Sequence, residues 1–158
     1  MESGFERWYR SAQPRLLASL TLVSGDVDVA EDCVSEALAK ALERWERVSA
    51  LESPSGWVYT VALNVLRRRE RRAALERRVL RRIGPPGEVP EPAGEAWAAV
   101  RDLPVRQRTA VVLRYVADLP EAEIARMMGI RRSTVAATLA AARRSLAVIL
   151  SDPEVTGA

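Results

Sequence analysis

Histidine is absent from this 158-residue chain, and cysteine occurs once, as Cys33. Without histidine the sequence can assemble neither a Ser-His-Asp nor a Cys-His catalytic set. A single cysteine cannot form a disulfide within the chain, and without histidine it cannot complete a zinc site of the usual ligands. We therefore expect no metal site, no cofactor and no enzymatic activity, and we expect the chain to act by binding.

Aromatic residues are also scarce, at 5% of the chain, beside 48% hydrophobic and 28% charged residues. The cores must therefore consist mostly of leucine, valine and alanine, which favours helices. We see no apolar run that approaches the length of a membrane span, and the N-terminus has no signal-peptide apolar region. These features predict a cytoplasmic, reduced protein without membrane insertion.

Lysine is nearly missing, since Lys40 is the single lysine among 24 basic residues. Residues 67–82 hold nine arginines against two glutamates, whereas residues 1–66 hold ten acidic against six basic side chains. An acidic front half beside a basic segment indicates two different partners. A basic surface attracts nucleic-acid phosphates, anionic lipid or an acidic protein. A genomic bias would explain arginine over lysine, but it would not explain the clustering.

The spacing of apolar residues predicts helices and no strand. In the N-terminal half we expect helices over residues 4–23, over residues 28–48 and from Gly56 or Trp57 into the arginine run. Pro14 predicts a kink or a restart in the first helix, and Asp26 or Asp28 can cap the second.

A proline- and glycine-rich segment separates these helices from a second helical set. Residues 84–94 contain four prolines and three glycines, so neither a helix nor a strand can form there. We therefore expect an all-α chain of two small helical domains, residues 1–82 and 95–152, joined by a linker over residues 83–94.

The second domain contains the pattern of a helix-turn-helix. Pro120 suits the first position of a helix, Gly129 can end that helix in the left-handed conformation, and Ser133 or Thr134 can cap the next. In a helix-turn-helix the second helix enters the DNA major groove. The alternative is an ordinary helical hairpin, because such turn signals are common.

Two further groups admit a structural and a functional interpretation. Asp32 and Glu36, four residues apart on one helix, form either a solvated face or a docking surface for a basic partner. Trp57 and Tyr59 lie close to the arginine run, an arrangement that can stack unpaired bases while gripping the strand. The alternative for Trp57 is a core anchor beside a solvated helix end.

A set of short motifs follows a defined order and spacing along the chain. They are Ala30-Glu31-Asp32 with Glu36, Trp57-Val58-Tyr59-Thr60-Val61-Ala62 with Asn64, Leu103-Pro104 with Gln107-Arg108, Leu113-Arg114-Tyr115, Glu123-Ile124-Ala125, Gly129-Ile130, Thr134-Val135, Leu139 and Ala142-Arg143. In the order and spacing of these motifs the chain resembles the extracytoplasmic-function (ECF) sigma factors, the small group of the sigma-70 family of bacterial RNA polymerase subunits. The likeness covers nearly all of residues 5–150.

The resemblance implies a transcription initiation factor that binds core RNA polymerase and promoter DNA. Region 2 would dock on the β′ clamp helices through Asp32, Ser35 and Glu36, and the loop 49–55 with the start of the third helix would capture an unstacked base of the −10 element. The implied −10 contacts are Trp57, Tyr59, Asn64, Arg67, Arg68 and Arg71. Region 4 would dock on the β-flap, and its implied −35 contacts are Arg131, Arg132, Ser133, Thr134, Ala137, Thr138, Arg143 and Arg144. The resemblance also implies an anti-sigma protein as regulator.

The sequence departs from the family pattern at several positions. Ser35, Leu63 and Arg68 stand where the family usually has Gln, Arg and Asp, and alanines occupy recognition-helix positions 136, 137, 140 and 141. Alanine makes no bidentate contact to a base edge. We therefore expect weak −35 recognition by backbone and shape, with promoter choice left mostly to region 2. The alternative is that the alanine face binds a protein.

Two other functions remain open from the sequence. The chain could be a stand-alone helix-turn-helix regulator, although such a protein has no need of the Ala30–Glu36 and Trp57–Asn64 helices. It could also be a sigma-like helical interaction protein that has lost promoter recognition.

Overall fold

The structure is a computed structural model that describes residues 3–80 and 95–151. The described residues form eight helices and no strand, which confirms the all-α class with two helical domains. The helices are α1 (Gly4–Ser24), α2 (Val27–Glu43), α3 (Trp45–Ser49), α4 (Pro54–Leu80), α5 (Glu95–Arg101), α6 (Val105–Tyr115), α7 (Glu121–Met128) and α8 (Arg132–Ser151). The predicted linker, residues 83–94, lies outside the described residues.

The chain divides into two compact units, Met1–Pro90 and Glu91–Ala158. In the N-terminal unit α2 packs against both α1 and α4. The buried face of α2 is built largely from small side chains, and Ala30, Cys33, Ala37 and Ala41 are all fully buried. Small residues let neighbouring backbones approach closely, so α2 forms the centre of this unit.

Local capping explains where α1 and α2 begin. Ser3 and Glu6 form a capping box at the start of α1. Gly25 follows α1 in the left-handed conformation, with φ 73°. Asp26 then caps α2 by accepting from the backbone N–H groups of Asp28 and Val29, so of the two predicted caps Asp26 is confirmed.

Helix α1 runs through Pro14 as one helix, so of the two predicted outcomes the restart does not occur. Two boundaries in this unit differ from the prediction. The predicted helix 28–48 breaks at Arg44, whose backbone leaves the helical region at φ −120° and ψ 24°. Helix α4 begins at Pro54, earlier than predicted, because the Ser53 hydroxyl accepts from the Gly56 N–H at 3.0 Å and proline suits the first helical position.

In the C-terminal unit α8 packs against α6, α7 and α5. Val135, Leu139 and Ala142 form its buried face, and Ile124 of α7 is also fully buried. The Arg108 guanidinium donates to the carbonyl of Arg101 at 2.9 Å, which ties α6 to the end of α5.

The helix-turn-helix has the predicted turn with two shifted helix starts. Gly129 ends α7 in the left-handed conformation, with φ 65°, as predicted. Pro120 is the cap residue of α7 and precedes its first helical position. Helix α8 starts at Arg132, because the carbonyl of Arg131 already accepts from the N–H groups of Thr134 and Val135. Ser133 and Thr134 therefore lie in its first turn, and the prediction that one of them caps the helix is wrong.

By length and composition alone α8 is long and apolar enough to cross a membrane. Six of its twelve apolar residues are alanine, and Arg143 and Arg144 interrupt the apolar sequence. Because α8 packs on three other helices of its unit, we interpret it as a domain helix.

Candidate nucleic-acid interface

The acidic residues of α2 lie at the surface beside α4. The Asp32 side chain is 64% exposed and the Glu36 side chain is 32% exposed. Ser35 is exposed and lines a groove of about 200 Å³ between α1 and α2 together with Tyr9 and Glu31. The three residues predicted to bind polymerase are therefore accessible, and their i, i+3 and i+4 spacing makes them neighbours on the surface of α2.

Each of the two carboxylates is paired with arginine from α4. Arg68 Nη2 donates to Glu36 Oε1 at 2.7 Å, and Arg69 Nη1 donates to Asp32 Oδ2 at 2.8 Å. Lys40 Nζ donates to the same Glu36 oxygen at 2.8 Å. The hydrogen bonds from Lys40 and then Arg68 lower the pKa of the Glu36 carboxyl. The acidic face of α2 is therefore locally neutralised by cations of the same unit.

The predicted −10 contacts on α4 have different environments. Asn64 and Arg71 are exposed, while Trp57 and Arg67 are half-buried. Arg68 is directed to Glu36. Helix α4 turns its apolar side to the core through the first half of its length and is exposed on all sides from residue 68 to residue 78.

Tyr59 is the one predicted −10 contact that lies in the core. It is 3% exposed, and its hydroxyl oxygen is 3.0 Å from the Ser19 hydroxyl of α1. Burial raises the pKa of the Tyr59 phenol. Because Tyr59 shares the inward face of α4 with Val58 and Ala62, we leave it out of the candidate DNA surface.

Trp57 lies at a cleft that the sequence did not predict. The cleft has a volume of about 100 Å³ and is lined by Arg44, Arg47, Val48, Leu51 and Trp57. In residues 3–80 no acidic side chain pairs with Arg44 or Arg47. Two unpaired guanidiniums beside an indole can hold a nucleobase and its phosphate, because the ring stacks the base and the cations attract the backbone.

Sequence reasoning missed Arg44 and Arg47 because it treated residues 28–48 as one helix. The break at Arg44 starts the short helix α3 and brings both arginines to the cleft. The available signal was Leu51, a large apolar residue within the predicted base-capturing loop 49–55, which lines the cleft and is exposed in the structure.

The predicted −35 contacts lie along the accessible side of α8 and its preceding turn. Exposed residues are Arg131, Arg132, Ser133, Thr134, Ala137, Arg143 and Arg144, and Thr138 is half-buried. Arg132 Nε lies 3.6 Å from Glu121 Oε2 of α7, and the Thr138 hydroxyl donates to the carbonyl of Thr134 at 2.7 Å. Arg143 Nε donates to the carbonyl of Leu139 at 3.3 Å. These contacts reduce the donors that remain for base edges, and Ala136 and Ala137 supply none.

Comparison with known proteins identifies both units. The family model described as Sigma-70 region 2 matches residues 8–76, and the model described as Sigma-70, region 4 matches residues 93–146. A Bacillus subtilis (strain 168) protein named RNA polymerase sigma factor SigV is 26% identical over 133 residues, which are 82% of this chain and 80% of the relative.

A solved structure has the same fold. It is the co-crystal structure of the sigma factor RpoE in complex with the anti-sigma factor NepR from Bartonella quintana, with a TM-score of 0.83 and 21% identity. The similarity covers 94% of this chain and 98% of that one.

The two matched regions follow each other with only residues 77–92 between them, which is the layout of the ECF group. Sigma factors direct RNA polymerase to promoters. From its matched regions, its relative and its fold, the chain belongs to the sigma-70 family and is an ECF sigma factor, a transcription initiation factor.

Proposed function

We propose that the cleft at Trp57 captures one unstacked base of the −10 element, with Arg44 and Arg47 as cationic contacts. The observation that carries this proposal is that the Trp57 indole shares a cleft with two guanidiniums, which have no acidic partner within residues 3–80. Extracting a base from the duplex costs unstacking energy. A pocket that stacks the extruded base and attracts its phosphate offsets that cost. Asn64, Arg67 and Arg71 extend the DNA contact along α4.

The polymerase-docking surface is proposed to be the exposed side of α2. Asp32, Ser35 and Glu36 supply it, and their partners would be basic side chains of the β′ clamp helices of core polymerase. The exposure of these residues and the charge of the two carboxylates support the assignment. Exposed charge pairs steer association and fix orientation more than they add affinity.

Region 4 is proposed to dock on the β-flap and to lay α8 on the −35 element with little base discrimination. Arg131, Ser133, Thr134 and Arg144 are accessible and suit phosphates. Ala137 can contact at most a thymine methyl group. Any preference for one −35 sequence over another would then come from the sequence-dependent shape of the DNA.

Regulation by an anti-sigma protein belongs to the same proposal. The solved structure of similar fold contains such a complex, which is the support for a comparable partner here. The chain would act in the cytoplasm, where polymerase and promoters are found. Its mechanism is binding and strand capture, without a covalent step.

Run-off transcription tests the proposal. Purified core polymerase from the source organism is mixed with the chain and with genomic fragments, and transcript starts are mapped. Discrete starts that share an upstream motif are expected. If the chain binds core polymerase but produces no discrete starts, it is a sigma-like interaction protein instead.

A pair of double variants localises the strand-capturing site. We expect R44Q/R47Q to reduce open-complex formation at least tenfold, because it removes both cleft cations. The matched control is R77Q/R78Q, which removes the same charge from the exposed far part of α4. Equal effects of the two variants would contradict a specific role for the cleft.

A further inference from the structure

The cations and anions that the proposed function assigns to different partners are bound to each other in the free chain. Glu36 and Asp32 on α2 are proposed for polymerase, and Arg68 on α4 resembles a −10 contact. Yet Arg68 and Arg69 make ion pairs of 2.7 and 2.8 Å with these same two carboxylates. The internal ion pairs therefore compete with both proposed partners, with polymerase for the carboxylates and with DNA for the arginines.

Arg68 and Arg69 both pair with carboxylates of α2, whereas other exposed arginines of α4 that the structure describes do not. Arg71, Arg77 and Arg78 are exposed on the same helix, and within the described residues no acid pairs with them. Arg72 pairs with Glu76 of its own helix. Arg68 and Arg69 are the positions at which α4 passes the charged side of α2, so their partners come from the packing of these two helices.

A guanidinium that is held by a carboxylate is a poor ligand for a phosphate, because the two anions compete for the same N–H donors and repel each other. The reverse also holds. A carboxylate that is bound to arginine presents little net charge to a basic protein surface. Each ion pair therefore weakens both external interactions until one of the external partners replaces it.

We propose that Arg68 and Arg69 are shared cations, which neutralise Glu36 and Asp32 in the free chain and transfer to promoter phosphates when basic side chains of polymerase take over the carboxylates. This inference rests on the proposed function and adds its regulation. DNA binding and polymerase binding then favour each other, and by linkage each strengthens the other by the same factor.

The expected size of the coupling follows from the exposure of the pairs. Both lie at the surface, with the four side chains 32 to 64% exposed. Exposed ion pairs change an equilibrium by about 1.5- to 5-fold each. For two pairs we expect a coupling of about 2- to 20-fold, large enough to measure and small enough to be reversible.

A double-mutant cycle on DNA binding tests the proposal with the full chain. The four proteins are the wild type, R68Q/R69Q, D32N/E36Q and the quadruple variant. The probe is a fluorescein-labelled single-stranded 20-mer of mixed sequence, followed by anisotropy at low salt. In the wild-type background we expect R68Q/R69Q to change DNA affinity little. In the D32N/E36Q background the same change should cost about 2- to 20-fold more, because the arginines are then available.

The matched control is the same cycle with R77Q/R78Q in place of R68Q/R69Q. Removing these unpaired arginines should weaken DNA binding by the same factor in both backgrounds. An equal loss for R68Q/R69Q in both backgrounds would overturn the shared-cation proposal. Circular dichroism of each variant confirms that α2 and α4 remain folded.

Core polymerase supplies the second half of the test. R68Q/R69Q should bind core polymerase about 1.5- to 5-fold more tightly than the wild type, since Asp32 is no longer neutralised, whereas Glu36 keeps its bond to Lys40. Unchanged or weaker binding would overturn the proposal. The double-mutant cycle on DNA binding uses no polymerase, so it tests the shared-cation proposal independently of the proposed sigma-factor function. A coupled cycle in a chain that does not bind core polymerase would refute the proposed function and the polymerase half of this inference.

Discussion

Tyr59 belongs to the motif that resembles a DNA-binding helix, yet its side chain serves the core. Tyr59→Phe keeps the ring and removes the hydroxyl that contacts Ser19. Ser19 retains its bond to the carbonyl of Arg15 at 2.8 Å. We expect the free energy of unfolding to fall by about 0.5–1.5 kcal/mol, measured by urea denaturation.

The same variant should leave DNA affinity unchanged, because the lost hydroxyl does not reach the surface. Trp57→Ala is the comparison, and it should reduce affinity for a −10 strand. A tenfold loss of DNA affinity in Tyr59→Phe would show that the phenol leaves the core in the complex.

Glu36 gives a residue-scale prediction for pH. Hydrogen bonds from Lys40 and Arg68 hold its pKa below the usual value of a glutamate. A lowered pKa in the folded state means that the interaction stabilises the fold above the ordinary glutamate pKa, and that this stabilisation is lost as the pH falls through the lowered value. We expect Lys40→Gln to raise the Glu36 pKa, and Arg68→Gln to raise it by less.

Carboxyl-carbon NMR titration measures this shift directly. Arg77→Gln is the control. Arg77 does not contact Glu36, so this variant should leave the Glu36 pKa unchanged. If Arg68→Gln also leaves the Glu36 pKa unchanged, the Arg68–Glu36 pair is not formed in solution.

At the scale of elements, the turn between α7 and α8 depends on one backbone conformation. Gly129 has φ 65°, and a Cβ added there would meet no atom within 4 Å. Substitution is therefore a test of backbone strain alone. We expect Gly129→Ala to destabilise the C-terminal unit by about 1–2 kcal/mol, seen as faster amide exchange in α7 and α8.

Gly129→Asn is the matched control for this turn, because asparagine enters the left-handed region more readily than alanine. Gly129→Asn should therefore lose less protection from amide exchange in α7 and α8 than Gly129→Ala. Equal losses for the two variants would indicate that the side chain is excluded for another reason.

The break between α2 and α3 is the element-scale feature with most consequence for the site. One residue, Arg44, departs from helical geometry, and the following turn carries Arg47 to the cleft beside Trp57. The aromatic contacts of Trp45 with Phe5 and Trp8, at 5.3 and 5.1 Å between ring centroids, fix α3 against α1. The short helix is thus held by packing that is remote from it in sequence.

For the whole molecule, the two units are expected to contribute unequally to promoter choice. Region 2 has the Trp57 indole and two guanidiniums at its cleft, whereas the recognition helix presents alanine and backbone-bonded side chains. Scrambling the −35 hexamer of an identified promoter should therefore reduce transcription by less than about 100-fold, the scale of several lost base contacts.

Substituting the −10 element of the same promoter is the comparison, and it should abolish the start. A loss of more than about 100-fold on −35 scrambling would contradict weak −35 recognition. The alanine face would then have to read bases through a contact that its side chains do not suggest.

The sequence by itself determined the helices, the two-domain layout and the glycine turn of the helix-turn-helix. Apolar spacing at 3.6 residues and the conformational freedom of Gly129 are local properties, so they can be read without knowledge of the fold. The order and spacing of the motifs likewise sufficed to identify the family. The predicted domain boundaries and site residues stay predictions.

Only the tertiary structure decided which side chains are available. Tyr59 turned inward, Arg68 and Arg69 paired with carboxylates more than thirty residues away, and Arg44 and Arg47 came to Trp57. These outcomes depend on how α2 packs and rotates against α4 and where α3 begins. A helical pattern fixes the face of one helix, but the partner of each charge depends on the neighbouring helix that meets that face.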